Sequence, residues 1–211
     1  MEIEHLDTQT LSRSPFAVKI IRVFSPTLIW IHLENSKESF QKMMEDFNQR
    51  MNKRRFFHSN TKLGDIVALE TNGGWQRGIV TKMNGDGTAQ VGLRDWGVYV
   101  RHAIAELYHL EERFREHFWQ AVPCSLAYTA PATTGPTWSR RAINVTRSIA
   151  EQQTGIMQII KPIRDEGALI KLDIKNETNN VYHNLRDLLI ELGVAQKIAN
   201  IATHTVPSAL S

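Results

Sequence analysis

The stretch from Lys62 to Leu110 limits what this chain can fold into more than any other. Short β-rich runs, GDIVALE, WQRGIVTKM and TAQVGL, alternate there with the turn clusters Asn72-Gly73-Gly74 and Asn84-Gly85-Asp86-Gly87, and a further short run reaches Val100. Four or five strands with tight glycine turns in fewer than 50 residues predict a small barrel, which closes its own edges without a large core.

The flanks have a different texture. Phe16 to Val23 and Thr27 to Leu33 are rich in β-branched and aromatic residues, with Ser25-Pro26 between them, and predict a β-hairpin. Asn35-Ser36 supplies an N-cap, and Phe40, Met43, Met44, Phe47 and Met51 recur at i, i+3, i+4 and i+7, predicting a helix over 36–51. Beyond the barrel, Leu110, Phe114 and Phe118 at a spacing of four predict a linking helix, followed by a strand over 121–128 with Pro123 near its start. A Thr-, Pro- and Gly-rich loop then leads to a helix over 139–152 with Ala142, Val145 and Ile149 inward. Two strands, 156–163 and 168–174, join through Asp165-Glu166-Gly167. A last helix over 184–192 carries Leu185, Leu188, Leu189 and Leu192 on one face and ends at Gly193.

This second half has too few strands to close a sheet, and the first hairpin with its helix would complete it. The predicted fold class is mainly β with flanking helices (α+β), one split domain with a barrel inserted in it. Its expected parts are a flexible tail over 1–14, a first part over 15–56, the barrel over 57–110, the linking helix over 111–120, a second part over 121–196 and a tail over 197–211.

Composition excludes several classes. With 211 residues, 42% hydrophobic and 22% charged, the chain suits one large or two small globular domains. Its longest apolar runs are interrupted by charge, as Lys19 and Arg22 interrupt Val18 to Val23, whereas a membrane span needs roughly 20 apolar residues in a row. The start, MEIEHLDTQTLSRS, has no secretory pattern, so an intracellular protein is expected, and the polar start and undistinguished end suit a module cut from a longer scaffold. Cys124 is the only cysteine, which rules out an internal disulfide and predicts a buried structural thiol. The net charge, 25 basic minus 22 acidic residues or +3, argues against a strong nucleic-acid binder.

Gly64-Asp65, Trp75-Gln76-Arg77-Gly78, Asp95-Trp96-Gly97, Leu107, Phe118, Gln120-Ala121 and Pro123-Cys124 follow one another in an order and spacing that resembles the extended Tudor domain. In that family a Tudor barrel is inserted in a split, staphylococcal-nuclease-like, OB-type fold. The resemblance implies a non-catalytic module that binds the arginine-rich N-terminal tail of a PIWI-clade Argonaute, often as symmetric dimethylarginine in an aromatic cage. It also implies scaffolding of piRNA-pathway assembly in cytoplasmic, perinuclear germ granules (nuage), with no cofactor and no metal.

Such a cage works by cation–π attraction from several ring faces around the methylated guanidinium. Carried over by the family pattern, the cage positions fall on Glu70, Gln76, Leu93 and Trp96, with Val98 in place of the usual asparagine. Only Trp96 is aromatic. A site built from a carboxylate, an amide and one ring would favour an unmethylated guanidinium, which keeps its full set of N–H donors. The expected preference is therefore for unmethylated arginine, or indifference to the mark. Arg77 and Asp95 are expected to form a structural ion pair, Trp75 to face the opposite side from Gln76, and Trp119, Trp138, Tyr108 and Tyr128 to pack near the junction of the two lobes.

Other classes have less support. Glu34, Glu38, Glu45, Asp46, Asp165, Glu166, Asp173 and Glu177 are scattered, and the eight histidines form no metal-binding pair, so catalysis is not expected. Lys53-Arg54-Arg55 beside Phe56-Phe57 is the one basic and aromatic run, the alternative being a weak single-stranded RNA binder. Self-association and a purely structural role are the remaining readings.

Overall fold

The computed structural model describes residues 2–163, 167–176 and 179–199. Its elements, in chain order, begin with β1 (Phe16–Ser25), β2 (Leu28–Leu33) and α1 (Lys37–Lys53). Then follow β3 (Ile66–Thr71), β4 (Gly74–Met83), β5 (Thr88–Leu93), β6 (Val98–Ala103) and β7 (Tyr108–His109). The remainder comprises β8 (Val122–Leu126), β9 (Thr129–Pro131), α2 (Arg140–Ala150), β10 (Thr154–Ile163), β11 (Gly167–Lys175), β12 (Tyr182–Asn184), α3 (Leu185–Glu191) and β13 (Ala195–Lys197). They divide between two compact units, one drawn from Ser36–Gln120 with residues 2–6, the other from Asp7–Asn35 with residues 121–199.

In the second of these units the strand order is β10-β1-β2-β8-β11-β12, and β10 also pairs with β11, so five strands close on themselves and β12 adds to β11. The predicted hairpin is β1 with β2, and the strands of the second half complete its sheet as expected. Val18, Ile20, Ile29, Ile31, Met157 and Leu172 fill the interior. Cys124 is buried in β8, and desolvation pushes its thiol far up, out of reach of a nucleophilic role. Helix α2 is capped by Ser139 Oγ, which accepts from the Ala142 amide at 3.1 Å. Its fully buried residues are Ala142, as expected, with Thr146 and Ala150 one and two turns on, while Val145 and Ile149 are half-buried. In α3, Leu185 and Leu189 are buried and Leu192 is exposed.

The barrel unit orders its strands β6-β5-β4-β3-β7. Val67, Leu69, Val80, Val91, Leu93 and Leu107 form its interior. A second core lies on the other side of β3 and β4, where Phe40, Met43, Phe47 and Met51 of α1 meet Ile66, Ala68, Trp75, Leu110, Phe114 and Trp119. Covered on both sides, β3 reads as a continuous apolar run instead of an alternating one. Helix α1 thus belongs to the barrel unit and not to the nuclease-like part, since its apolar period predicts a buried face without naming the sheet that buries it.

Two further expectations change. Residues 1–14 are not simply a tail: Ile3 is buried in the α1 core, the Trp119 amide donates to the Glu4 carbonyl at 2.9 Å, and the buried Thr8 hydroxyl donates to the Gly167 carbonyl at 2.7 Å. The linking helix over 111–120 reduces to one 3-10 turn, Glu112–Phe114. The carbonyls of Phe114, His117 and Phe118 accept from the Arg77 guanidinium, and Phe118 is exposed. At the C-terminal side, Lys197 is the last residue of β13, which pairs with β9. The predicted turn residues Asp165 and Glu166, and the tail from residue 200, lie outside the described residues.

Candidate functional site

Arg77 on β4 anchors the unit. Its Nε and Nη2 donate to the two Asp95 carboxylate oxygens at 2.9 and 2.7 Å, a bidentate fork. Nη1 donates to the Phe114 and His117 carbonyls at 2.6 and 2.9 Å, and Nη2 also to Phe118 at 3.2 Å. All five N–H groups of the guanidinium are thereby matched, and the group lies over the Trp119 ring, 5.1 Å from its centroid. Both members of the ion pair are fully buried. Asp95 also accepts from the Gln120 amide at 3.1 Å, so the pair binds the 114–120 segment to the barrel. A buried ion pair with every donor matched is a structural clasp, with nothing left over for a ligand.

The expected cage positions separate into two groups. Trp96, in the turn after β5, donates its indole N–H to the Gln76 Oε1 at 2.6 Å, and its half-buried ring packs against Phe40 at 5.8 Å between centroids. Gln76 is itself buried. Leu93 is buried in the barrel interior, and Val98 is paired opposite it at the start of β6. Glu70 stands apart: Leu69 is the residue opposite Gln76 in the β3–β4 ladder, while Glu70 lies opposite Trp75 on the other face. The structure therefore gathers Gln76, Leu93, Trp96 and Val98, with the Trp96 backbone N–H donating to the Leu93 carbonyl at 2.9 Å, and does not bring Glu70 to them.

What Glu70 does meet is a guanidinium. Arg55 Nη1 lies 3.7 Å from its carboxylate, and the Arg55 guanidinium is 5.4 Å from the Trp75 ring centroid and 5.5 Å from that of Tyr108. The rings are held in place. Trp75 is buried, with its indole N–H on Asn52 Oδ1 at 2.8 Å and its backbone N–H on Asn48 Oδ1 at 2.9 Å. Tyr108 stands edge-on to Trp75 at 5.2 Å and is stacked by Phe57 at 4.9 Å. Beside them opens a cavity of about 420 Å³ bounded by Glu70, His102, Glu106 and Tyr108 among others. Sequence reasoning leaves Arg55, Phe57 and Tyr108 out of the site because they come from the α1–β3 connection and from β7. The one available signal is the basic and aromatic run from Lys53 to Phe57, read there as an RNA contact.

Among the described residues no group of three or more His, Cys, Asp or Glu could hold a metal ion, and no helix is long and apolar enough to cross a membrane. Comparison with known proteins bears on the arrangement as a whole. The Tudor and KH domain-containing protein of Mus musculus is 30% identical over 122 residues, 56% of this chain and 21% of that protein, so the match spans about a fifth of the relative's length. Among solved structures, the extended Tudor domain TD3 of mouse TDRD1, in complex with a MILI peptide containing dimethylarginine, superposes with a TM-score of 0.82 at 14% identity. That match covers 93% of this chain and 99% of the other. The extended Tudor domain of Drosophila melanogaster Papi, in complex with an unmethylated Piwi N-terminal peptide, gives 0.73 at 19% identity, covering 88% and 100%. The barrel, the clasp and the closed second unit thus have the architecture of an extended Tudor fold. With residues 11–128 matching the Tudor domain, more than half of its length, the chain belongs to the Tudor domain family.

Proposed function

We propose that this chain is a non-catalytic module that binds an arginine-rich N-terminal tail of a PIWI-clade Argonaute, unmethylated or without regard to methylation. It would serve as a scaffold in piRNA-pathway assembly at cytoplasmic, perinuclear germ granules. Family membership supports the peptide-binding half, together with related folds whose solved complexes hold a dimethylarginine-containing MILI peptide and an unmethylated Piwi peptide.

The observation that carries the methylation half is the 2.6 Å bond from the Trp96 indole to Gln76. Methyl groups on a guanidinium gain from several ring faces, and here the cage positions offer one ring, already engaged, beside a buried leucine. Unmethylated arginine keeps the donors that a carboxylate or amide can accept. Isothermal titration with one PIWI-type N-terminal peptide, unmodified and symmetrically dimethylated, tests this reading. The unmodified peptide is expected to bind at least as tightly as its twin. A tenfold preference for the dimethylated form, equivalent to about 1.4 kcal/mol, overturns it. Trp96→Ala, run beside it, reports whether the Trp96 side takes part.

A second reading, weak binding of single-stranded RNA, has in its favour the exposed Phe56 and Phe57 beside Lys53, Arg54 and Arg55. It predicts affinity that collapses between low and moderate salt, which a peptide held by one arginine subsite does not share.

A further inference from the structure

The outer face of the barrel already holds a guanidinium between two aromatic rings and a carboxylate, and that guanidinium is the chain's own. Arg55 approaches Trp75 and Tyr108 at 5.4 and 5.5 Å and Glu70 at 3.7 Å. The host groups are rigid: Trp75 is bonded through both its indole and its backbone N–H, and Tyr108 is fixed between Trp75 and Phe57. The guest is loosely held. The Arg55 side chain is 48% exposed and the Glu70 side chain 58%, and an ion pair so open to water is weak.

Two members of this niche, Glu70 and Tyr108, also bound the adjoining cavity of about 420 Å³. Its wall also holds His102 and Glu106, 3.6 Å apart. The cavity therefore adjoins the niche through Glu70 and Tyr108, and Glu106 puts a second carboxylate in its wall. A cation leaving the niche would find another carboxylate in the adjoining space.

We propose that the aromatic niche of Trp75, Tyr108 and Glu70, together with the adjoining cavity that reaches Glu106, is the arginine-accepting subsite of the chain, and that Arg55 occupies the niche as a competing guanidinium in cis. Its ligand class is the unmodified guanidinium of a basic peptide, which needs a planar fork for a carboxylate and a flat face for the rings. The inference rests on the reading of the chain as an arginine-tail binder, and it adds where the arginine goes and what it must displace. It also gives the basic run from Lys53 to Arg55 a role within the protein.

The test uses the full chain and a synthetic peptide of alternating Gly and Arg, unmodified, with affinity read by titration calorimetry. Arg55→Ala is expected to bind the peptide at least threefold more tightly than wild type. Arg54→Ala, which makes the same change of charge one residue away, should leave affinity within a factor of two, so that a general electrostatic effect is separated from vacancy of the niche. Glu106→Gln, at an exposed position that carries no fold, should weaken binding at least threefold. Identical affinities for wild type, Arg55→Ala and Glu106→Gln overturn the inference while leaving an arginine-tail binder with its site elsewhere. No binding by either wild type or Arg55→Ala overturns both. Binding by Arg55→Ala alone supports the inference in its strongest form, a subsite closed by the chain itself.

Discussion

Arg77 and Arg55 each set a guanidinium against aromatic rings and a carboxylate, yet one is fully buried with five N–H groups matched and the other is half-exposed beside a single carboxylate at 3.7 Å. The difference follows from solvent. A charge withdrawn from water must have every donor met, because an unmatched one keeps its whole desolvation penalty, and the resulting network can hold only one geometry. A charge left in water has no such requirement, and its partners can be exchanged. The barrel unit therefore uses its arginine chemistry twice, once as a fixed clasp on 114–120 and once as a replaceable contact on its outer face.

Breaking the clasp should have the largest effect. Arg77→Ala leaves Asp95 buried without a counter-charge and takes the guanidinium donors from the Phe114 and His117 carbonyls, for which a loss of about 3–5 kcal/mol in urea unfolding is expected. Arg77→Lys should be only partly better, since a lysine ammonium cannot supply the fork or reach all five acceptors. Combining Arg77→Met with Asp95→Leu removes the stranded charge, so the double variant should be more stable than Arg77→Ala. If Arg77→Ala unfolds within about 1 kcal/mol of wild type, the division between clasp and contact fails.

The sequence reveals these two arginines unequally, and for a physical reason. The strands, the face of α1 and the hairpin of β1 and β2 are local: period and turn chemistry write them into neighbouring residues. What escapes is set by distant partners. Leu110, Phe114 and Phe118 have helical spacing, but Arg77, far upstream, captures the carbonyls such a helix would use. The face of Glu70 depends on strand parity alone, and a shift of one position, to Leu69, exchanges the barrel interior for the outer surface. The Arg77–Asp95 pair is legible because the family pattern carries both residues; the Arg55 niche is not, because its members are gathered from three segments with no common motif.

A variant between the extremes sharpens the comparison. Trp96→Phe removes the indole N–H from Gln76 while keeping a ring against Phe40. Since Gln76 is buried, the lost bond should lower stability by roughly 1–3 kcal/mol, less than the clasp and more than the outer contact. Arg55→Ala should change unfolding by no more than about 1 kcal/mol, as exposed ion pairs and exposed cation–π contacts each contribute little. Its signature belongs in peptide affinity instead, and a large loss of stability in Arg55→Ala would turn the niche into a second clasp.

The smallest effect expected is one of pH, at Asp65 in front of β3. Burial pushes this carboxyl up, but the hydrogen bond with His58 at 3.0 Å, that from the Lys62 amide at 2.7 Å and the nearby positive charges outweigh it and hold the group below its ordinary value of 3.8. A carboxyl depressed in the folded state contributes stability that is present above the unfolded value and is lost as pH falls through the folded one. Asp65→Asn keeps an acceptor for the Lys62 amide but has no charge to titrate. Wild type should therefore be the more stable at about pH 6, with the gap closing steadily below pH 3.8 and absent at the acid end of the series. Glu111, which burial also pushes up and which Arg50 and Arg113 bring below its usual range, titrates in the same window, so the comparison must be made as a difference between the two proteins at each pH. A gap that stays constant from pH 6 to pH 2 would mean that the Asp65 contacts stabilise the turn through geometry alone and not through charge.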